Sequence, residues 1–428
     1  MVSGQETPGI RAALAIRPFA VFTLMCLVSN IGLWMSNLTV PVILYQLTGS
    51  AVWVGVFAAA NFVPGIFLAP ISGMIADRFD RRKVLLFTQL GMTGAAFLLW
   101  GLWTAGVHVP ALILIPVVIN GVFGAINMPS FLAFVHDLVP RENLRAAVNI
   151  NSIQFNVARA IGPFVAGLLL AFAGPDWALL VNALSFIGVV IVLTVIRARE
   201  KQVLVISTEP VMRLFAEATR YMASKAGIRL AIIGGIVGAV LGQPLYQMSV
   251  VLADRVYDIG SFELGMLNMC LSIGAVASIP LLAGRFGRVP LSRAVSWGMA
   301  GTGIALVALS GIQVFAFAIP LFLFAGAAMI LIMAGTATVI QLIVRDDLRG
   351  RVLAIRQMTF TASMPLGALL AGVVADAWGV QLFLLVAGIL LVAIVLAMRF
   401  IPQRGFLSMD DPHDTSVPPA HERKARLA

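Results

Sequence analysis

The chain has 428 residues, 60% apolar and only 11% charged, with a formal net charge of +10 and a mean hydropathy of +0.99. A water-soluble domain carries about 25% charged residues, so composition excludes a globular enzyme or binding domain in water. The two cysteines, Cys26 and Cys270, both sit in apolar runs, which excludes a disulfide framework and a cysteine metal site.

Apolar runs of about 20 residues, enough to cross a bilayer as a helix, recur from end to end. They are continuous, as over 113–122 and 383–400. Barrel strands would instead alternate apolar and polar residues over about 10 positions. The sequence therefore predicts an all-α membrane protein with spans near 18–45, 51–76, 84–106, 110–136, 147–173, 176–197, 228–252, 263–284, 291–312, 314–341, 352–376 and 380–401. The first run leads straight into another span, so it reads as a membrane helix and not as a cleavable leader.

Of the 29 Lys and Arg residues, all but Arg159 and Arg255 fall at the N-terminus or in the loops after spans 2, 4, 6, 8, 10 and 12. Basic residues mark the cytoplasmic side of a membrane. Both termini are expected there, in a bacterial inner (plasma) membrane, and the positive charge is a topology signal with no nucleic-acid role. Trp53, Trp100, Trp103, Trp177 and Trp378 gather at the opposite boundary, as interfacial anchors do; Trp34 lies deeper.

Between spans 6 and 7, Thr208-Glu209-Pro210 offers a helix start, and Leu214, Phe215, Ala218, Tyr221 and Met222 share one helical face. The expected organisation is a six-helix bundle over 1–197, a cytoplasmic linker with an amphipathic helix over 198–227, a second six-helix bundle over 228–401 and a disordered cytoplasmic tail over 402–428.

The two bundles repeat one another. Arg141, Glu142, Leu144, Arg145 and Val148 recur as Arg345, Asp346, Leu348, Arg349 and Val352, 204 residues on. Ala166-Gly167 and Gly174 recur as Ala371-Gly372 and Gly379, 205 residues on. ADRFDR at 76–81 recurs as AGRFGR at 283–288. Parallel halves related by an axis along the membrane normal are a transporter architecture, with the site between them near the midplane.

Gly73, Asp77, Arg78, Arg81 and Arg82 stand directly after the second span in the pattern G-x-x-x-D-R-x-x-R-R. Here the chain resembles the major facilitator superfamily, whose signature in this loop has glycine where Asp80 stands. TGSAVWVG (48–55), LVPRENLRAAVNINS (138–152), ARAIGPFVAGLL (158–169) and LRGRVLA (348–354) are similar to its bacterial exporter branch of enterobactin and macrolide efflux proteins. The resemblance implies twelve helices in two pseudo-symmetric bundles that move small amphipathic molecules outward. It also implies that Asp77 and its arginines latch the cytoplasmic gate against span 11.

Gly162-Pro163 with Gly167 partly resembles the superfamily's antiporter signature, with Ala166 in place of one glycine; a packing kink accounts for the same residues. Arg159 is the one cation well inside a predicted span. Such a charge costs at least about 2.5 kcal/mol at the bilayer centre unless it faces protein or water, so it is a candidate for coupling or substrate binding. No acid falls mid-span; His136-Asp137 at the inner end of span 4 is the candidate proton carrier, with a plain boundary charge as the alternative. Asn30, Asn37, Asn120, Asn127, Gln243, Tyr246, Gln247 and Asn268 are candidate cavity residues or, equally, interhelical hydrogen-bond partners.

These readings predict secondary-active, proton-coupled export of a drug or siderophore by alternating access. The expected partners are a small-molecule substrate, the lipid bilayer and protons, acting on a monomer with no cofactor and no metal. Uptake of a nutrient by the same fold and a non-transporting receptor remain open. An embedded enzyme is disfavoured: no H-E-x-x-H, G-x-S-x-G or phosphate-loop pattern occurs.

Overall fold

The computed structural model describes residues 9–196, 211–283, 289–400 and 409–410. The short helix α1 (Ile10–Leu14) precedes six long helices, α2 (Arg17–Thr48), α3 (Ala51–Arg78), α4 (Arg81–Thr104), α5 (Pro110–Leu138), α6 (Leu144–Phe172) and α7 (Pro175–Val195). After α8 (Val211–Ser224), the second half comprises α9 (Ala226–Leu241), α10 (Pro244–Arg255), α11 (Ser261–Ala283), α12 (Leu291–Gly311), α13 (Phe315–Ile343), α14 (Asp346–Trp378) and α15 (Val380–Phe400). Twelve of these segments, counting α9 and α10 as one, are long and apolar enough to cross a membrane. They form two pseudo-symmetric six-helix bundles, and α3 against α14 and α6 against α11 carry the packing between halves.

Alternating direction puts Arg17, Arg81, Leu138, Leu144 and Asp346 at one end, here the basic end, and the turns after α2, α6 and α14 at the other. Local chemistry fixes the turns. Asp80 occupies the N-cap of α4, its carboxylate accepting from the Lys83 N–H at 3.0 Å, so the residue that departs from the superfamily signature starts the next helix. Gly174 and Gly379, repeat equivalents, both close turns at positive φ (85° and 93°), where a side chain would be strained.

One span is not continuous. The sequence predicts an unbroken helix over 228–252, but α9 ends at Leu241 and α10 begins at Pro244. Pro244 has no N–H to give Val240, and its ring crowds that carbonyl. The break leaves Gln243 and Gln247 buried beside it.

Ala218 and Met222 of α8 pack with Ile228, Ile232, Ile340 and Val344 of the second bundle; Thr208-Glu209-Pro210 and the side chains of Leu214 and Phe215 lie outside the described residues. In the tail expected to be disordered, Met409 is buried against Ala231 and Val339, and Asp410 accepts hydrogen bonds from the Ser292 N–H at 3.0 Å and from its hydroxyl. The rest of that tail, and the repeat loop 284–288, lie outside the described residues.

Candidate functional site

The end opposite the basic loops is sealed. Arg255, closing α10, donates to the Asp376 carboxylate of α14 at 3.0 Å, to the Gly49 carbonyl at 2.7 Å, to the Tyr45 hydroxyl at 2.8 Å and to the Ala375 carbonyl at 3.1 Å. Asp376 accepts in addition from the N–H groups of Ala51 (2.8 Å) and Val52 (3.1 Å) and from the Ser50 hydroxyl. Those N–H groups are the orphan donors at the N-terminus of α3, where a carboxylate is favoured by the helix dipole. Tyr45 in turn donates to Asp254 at 3.0 Å. The network joins the first half to the second through charge.

Small residues let the backbones meet just beneath it. A Cβ on Gly167 would lie 2.4 Å from the Ser261 carbonyl oxygen and 2.9 Å from the Gly265 Cα, across the interface between halves. Gly162 meets Trp34 and Ile31 of α2 at 2.5 and 2.8 Å in the same sense. Helix α6 runs unbroken through Pro163, so Gly162 and Gly167 are contact points on a continuous helix.

At mid-depth stands Arg159. Its guanidinium carbon lies 5.5 Å from the Trp34 ring centroid, and the Trp34 ring meets those of Phe155 and Tyr246, each at 5.9 Å. Arg159 Nε, Trp34 Nε1 and the Tyr246 hydroxyl are all buried without a hydrogen-bond partner. On the second half, Asn268 donates to Ser249 at 2.9 Å, and its Oδ1 is likewise unpartnered. One turn on, the Ser272 hydroxyl bonds the Arg159 carbonyl at 3.2 Å. Among the described residues, no carboxylate pairs with Arg159.

Below this, toward the basic end of the first bundle, lies a cavity of about 360 Å³ bounded by Asn30, Gln89, Asn127, Asn151 and Gln154 together with Met92, Met128, Phe131 and Phe155. Its amides form a chain: Asn30 to Gln154 at 3.4 Å, Gln154 to Asn151 at 3.1 Å. Asn127 bonds Thr88 at 2.8 Å. Asn37 and Asn120, expected to line the same space, instead border a separate void of about 30 Å³, room for a water or two. In it Asn61 donates to Asn37 at 3.4 Å.

At the basic end, Arg81 pairs with Asp137 at 2.7 Å. Arg82 donates to the carbonyls of Leu193 and Thr194 at 2.6 Å each, capping the C-terminus of α7. Two of the three arginines of the loop motif, Arg81 and Arg82, thus find partners inside the first bundle. His136 and Arg78 are exposed, and Gly73 has open space around it; the side chain of Asp77 lies outside the described residues. Arg159 and Asp137, the two coupling candidates, stand far apart and do not touch. Arg159 is 15 residues into α6, about 22 Å along the helix from the basic end at 1.5 Å per residue, while Asp137 sits at that end on Arg81.

The sequence reading missed a second embedded cation. Arg356, expected in the loop after span 10, lies ten residues inside α14. It donates to the Met333 carbonyl at 2.7 Å and the Thr336 hydroxyl at 3.0 Å.

The profile of the transmembrane secretion effector family matches residues 9–423. The chain is similar to the staphyloferrin A transporter of Staphylococcus aureus (24% identity, covering 89% of this chain and 95% of that protein). It is also similar to a multidrug efflux pump, Tap, of Mycolicibacterium fortuitum (26% identity, 90% and 96%). Among solved structures, a bacterial homolog of the human lysosomal transporter Spinster has the same fold, with a TM-score of 0.72 at 15% identity over 92% of this chain and 96% of that one. Twelve spans, two repeated bundles and this full-length match have one reading: the chain belongs to the transmembrane secretion effector family of major facilitator superfamily transporters.

Proposed function

We propose that the protein is a secondary-active exporter of small amphipathic compounds, driven by the proton gradient and working by alternating access. The observation that carries this reading is the placement of a seal between the halves at one end and a cavity in the first half toward the other. A charged seal closes one end, and a cavity lined by amides, methionines and aromatics lies on the far side of it. A seal made of one ion pair and a few hydrogen bonds can break and re-form, which alternating access requires. A multidrug efflux pump among the relatives supports the outward direction and the amphipathic class.

The basic end faces the cytoplasm, by the distribution of Lys and Arg, so the sealed end faces outward. Asp376 is the better-placed proton acceptor than Asp137: it pairs with Arg255 of its own half and also accepts from the α3 N-terminus of the other, so its protonation would weaken contacts between halves. Asp137 holds Arg81 within a single half.

The test is transport in proteoliposomes carrying the purified chain in known orientation. A panel of amphipathic compounds is supplied at the basic face under an imposed proton gradient. Concentrative movement toward the sealed face that collapses on adding a protonophore is expected. Movement in the opposite direction would establish an importer, and concentrative movement indifferent to the protonophore would exclude proton coupling.

A further inference from the structure

We propose that Arg159, Trp34 and Tyr246 form a receptor for the anionic group of the substrate, so that the transported compound is an amphipathic organic anion. The inference rests on the exporter reading and names its substrate class. Arg159 Nε, Trp34 Nε1 and the Tyr246 hydroxyl are buried and unpartnered. Nearly every buried polar group in a folded protein is hydrogen-bonded, so three unmet groups around one guanidinium are a departure that needs a ligand. Arg and Trp can only donate, and a tyrosine hydroxyl donates readily. The complementary group is therefore an acceptor, and beside a cation it is an anion, held as arginine holds carboxylates.

Position supports the same conclusion. The three side chains stand where the halves meet, Arg159 and Trp34 on the first and Tyr246 on the second, just after the Gly242–Pro244 break. Transporter helices are commonly discontinuous at the substrate site. The cavity begins one turn away, at Phe155 and Asn30, and its roughly 360 Å³ falls within the range of small-molecule sites. An anion bridging Arg159 to Tyr246 would touch both halves at once, which lets occupancy be sensed by the bundle motion. The aromatic wall of Trp34 and Phe155 suits an aromatic or apolar body, and a cationic compound of the same shape meets an uncompensated guanidinium. Asn268 Oδ1, also unpartnered, can accept from a hydroxyl on the same molecule.

The experiment uses the full chain in lipid nanodiscs and a matched pair of probes, 1-naphthoate and 1-naphthylmethylammonium, with sodium chloride as a third. Binding is read as a concentration-dependent rise in unfolding temperature. The expected result is a rise with naphthoate alone, abolished in Arg159→Gln and weakened at least tenfold in Arg159→Lys, whose point charge cannot reproduce the guanidinium fork. It should also weaken several-fold in Tyr246→Phe, which removes one hydroxyl and covers the case that Arg159→Gln does not fold, and should survive in Arg356→Gln. A response to both organic probes, to neither, or to naphthoate in Arg159→Gln overturns the proposal. Saturation by chloride that blocks naphthoate also overturns it, by making the resident anion inorganic. Naphthoate binding without any concentrative export would leave this site standing and sink the exporter reading; export with no preference for anions would do the reverse.

Discussion

Arg159 on α6 and Arg356 on α14 occupy related helices of the two halves, since α14 repeats α6. Both are arginines inside a membrane span, yet their surroundings differ. Arg356 is satisfied within its own half by a carbonyl and a hydroxyl of α13. Arg159 has a ring face, and its Nε has no hydrogen-bond partner. Two further arginines extend the contrast. Arg81 holds a carboxylate of its own half; Arg255 also holds one of its own half, Asp376, but this pair reaches the other half, Arg255 through the Gly49 carbonyl and the Tyr45 hydroxyl and Asp376 through the α3 N-terminus. The partner therefore sorts the cations. A network confined to one half makes a tie that no rocking motion disturbs, a network spanning both halves makes one that motion must break, and an unmet donor set leaves room for substrate.

The largest effect that can break this comparison comes from exchanging each embedded arginine for glutamine. Arg159→Gln should lower transport at least about 100-fold while leaving the unfolding temperature unchanged or raised, because it removes a charge costing about 2.5 kcal/mol in the membrane. Arg356→Gln should keep transport within about threefold but lower the unfolding temperature by several degrees, since hydrogen bonds from a charged group contribute roughly 1.5–3 kcal/mol. Transport by reconstituted protein and thermal unfolding in the same detergent check both. The opposite pattern would exchange their roles.

The next effect concerns the cation whose network spans the halves. Asp376→Asn keeps the shape of the seal and removes its charge. The loss of a charge-assisted contact, roughly 1.5–3 kcal/mol, should favour opening at the sealed end by about tenfold or more, at 1.4 kcal/mol per factor of ten. A cysteine at Gln247, buried beneath the seal, should then react faster with an impermeant thiol reagent from that side, and one at Asn151 in the cavity should react more slowly from the other. Unchanged labelling at both positions would remove Asp376 from the seal.

Much of this was legible in the sequence. Apolar runs mark the spans because a bilayer imposes one length on all of them. Arg159 stands out because it is a lone charge in such a run. Arg356 did not, because Arg345, Arg349 and Arg351 precede it and the cluster reads as a loop, although the helix starts at Asp346. The break at Gly242–Pro244 is diluted by apolar neighbours, though the Gly-Gln-Pro triplet was its available signal. The seal was the least legible part. Tyr45, Ser50, Arg255 and Asp376 come from three distant stretches of chain, and only the docking of two bundles brings them together. The cavity amides were seen as types but not sorted: Asn30 and Asn127 reach the larger cavity, whereas Asn37 and Asn120 border a void too small for substrate.

The smallest expected effect sharpens the comparison most, because it tests an ion pair with good geometry that joins nothing across the interface between halves. Arg81 and Asp137 lie 2.7 Å apart with side chains only 10% and 18% exposed, a closer pair than Arg255 and Asp376 at 3.0 Å. If ion-pair geometry alone governed the transport cycle, Asp137→Asn would be the more disruptive change. If the reach of the network across the interface governs it, the variant should lower the unfolding temperature, because Arg81 loses the charge it faces and keeps only a long contact of 3.5 Å to the Ala133 carbonyl. The ratio of labelling at Gln247 and Asn151 should stay within about twofold of the parent, since the lost contribution is equal in both end states and cancels in the population shift. Concentrative, protonophore-sensitive export should persist in Asp137→Asn and fail in Asp376→Asn. A variant at Asp137 that kept downhill exchange but lost concentrative export would return the proton route to α5 and end the distinction between ties within a half and ties between halves.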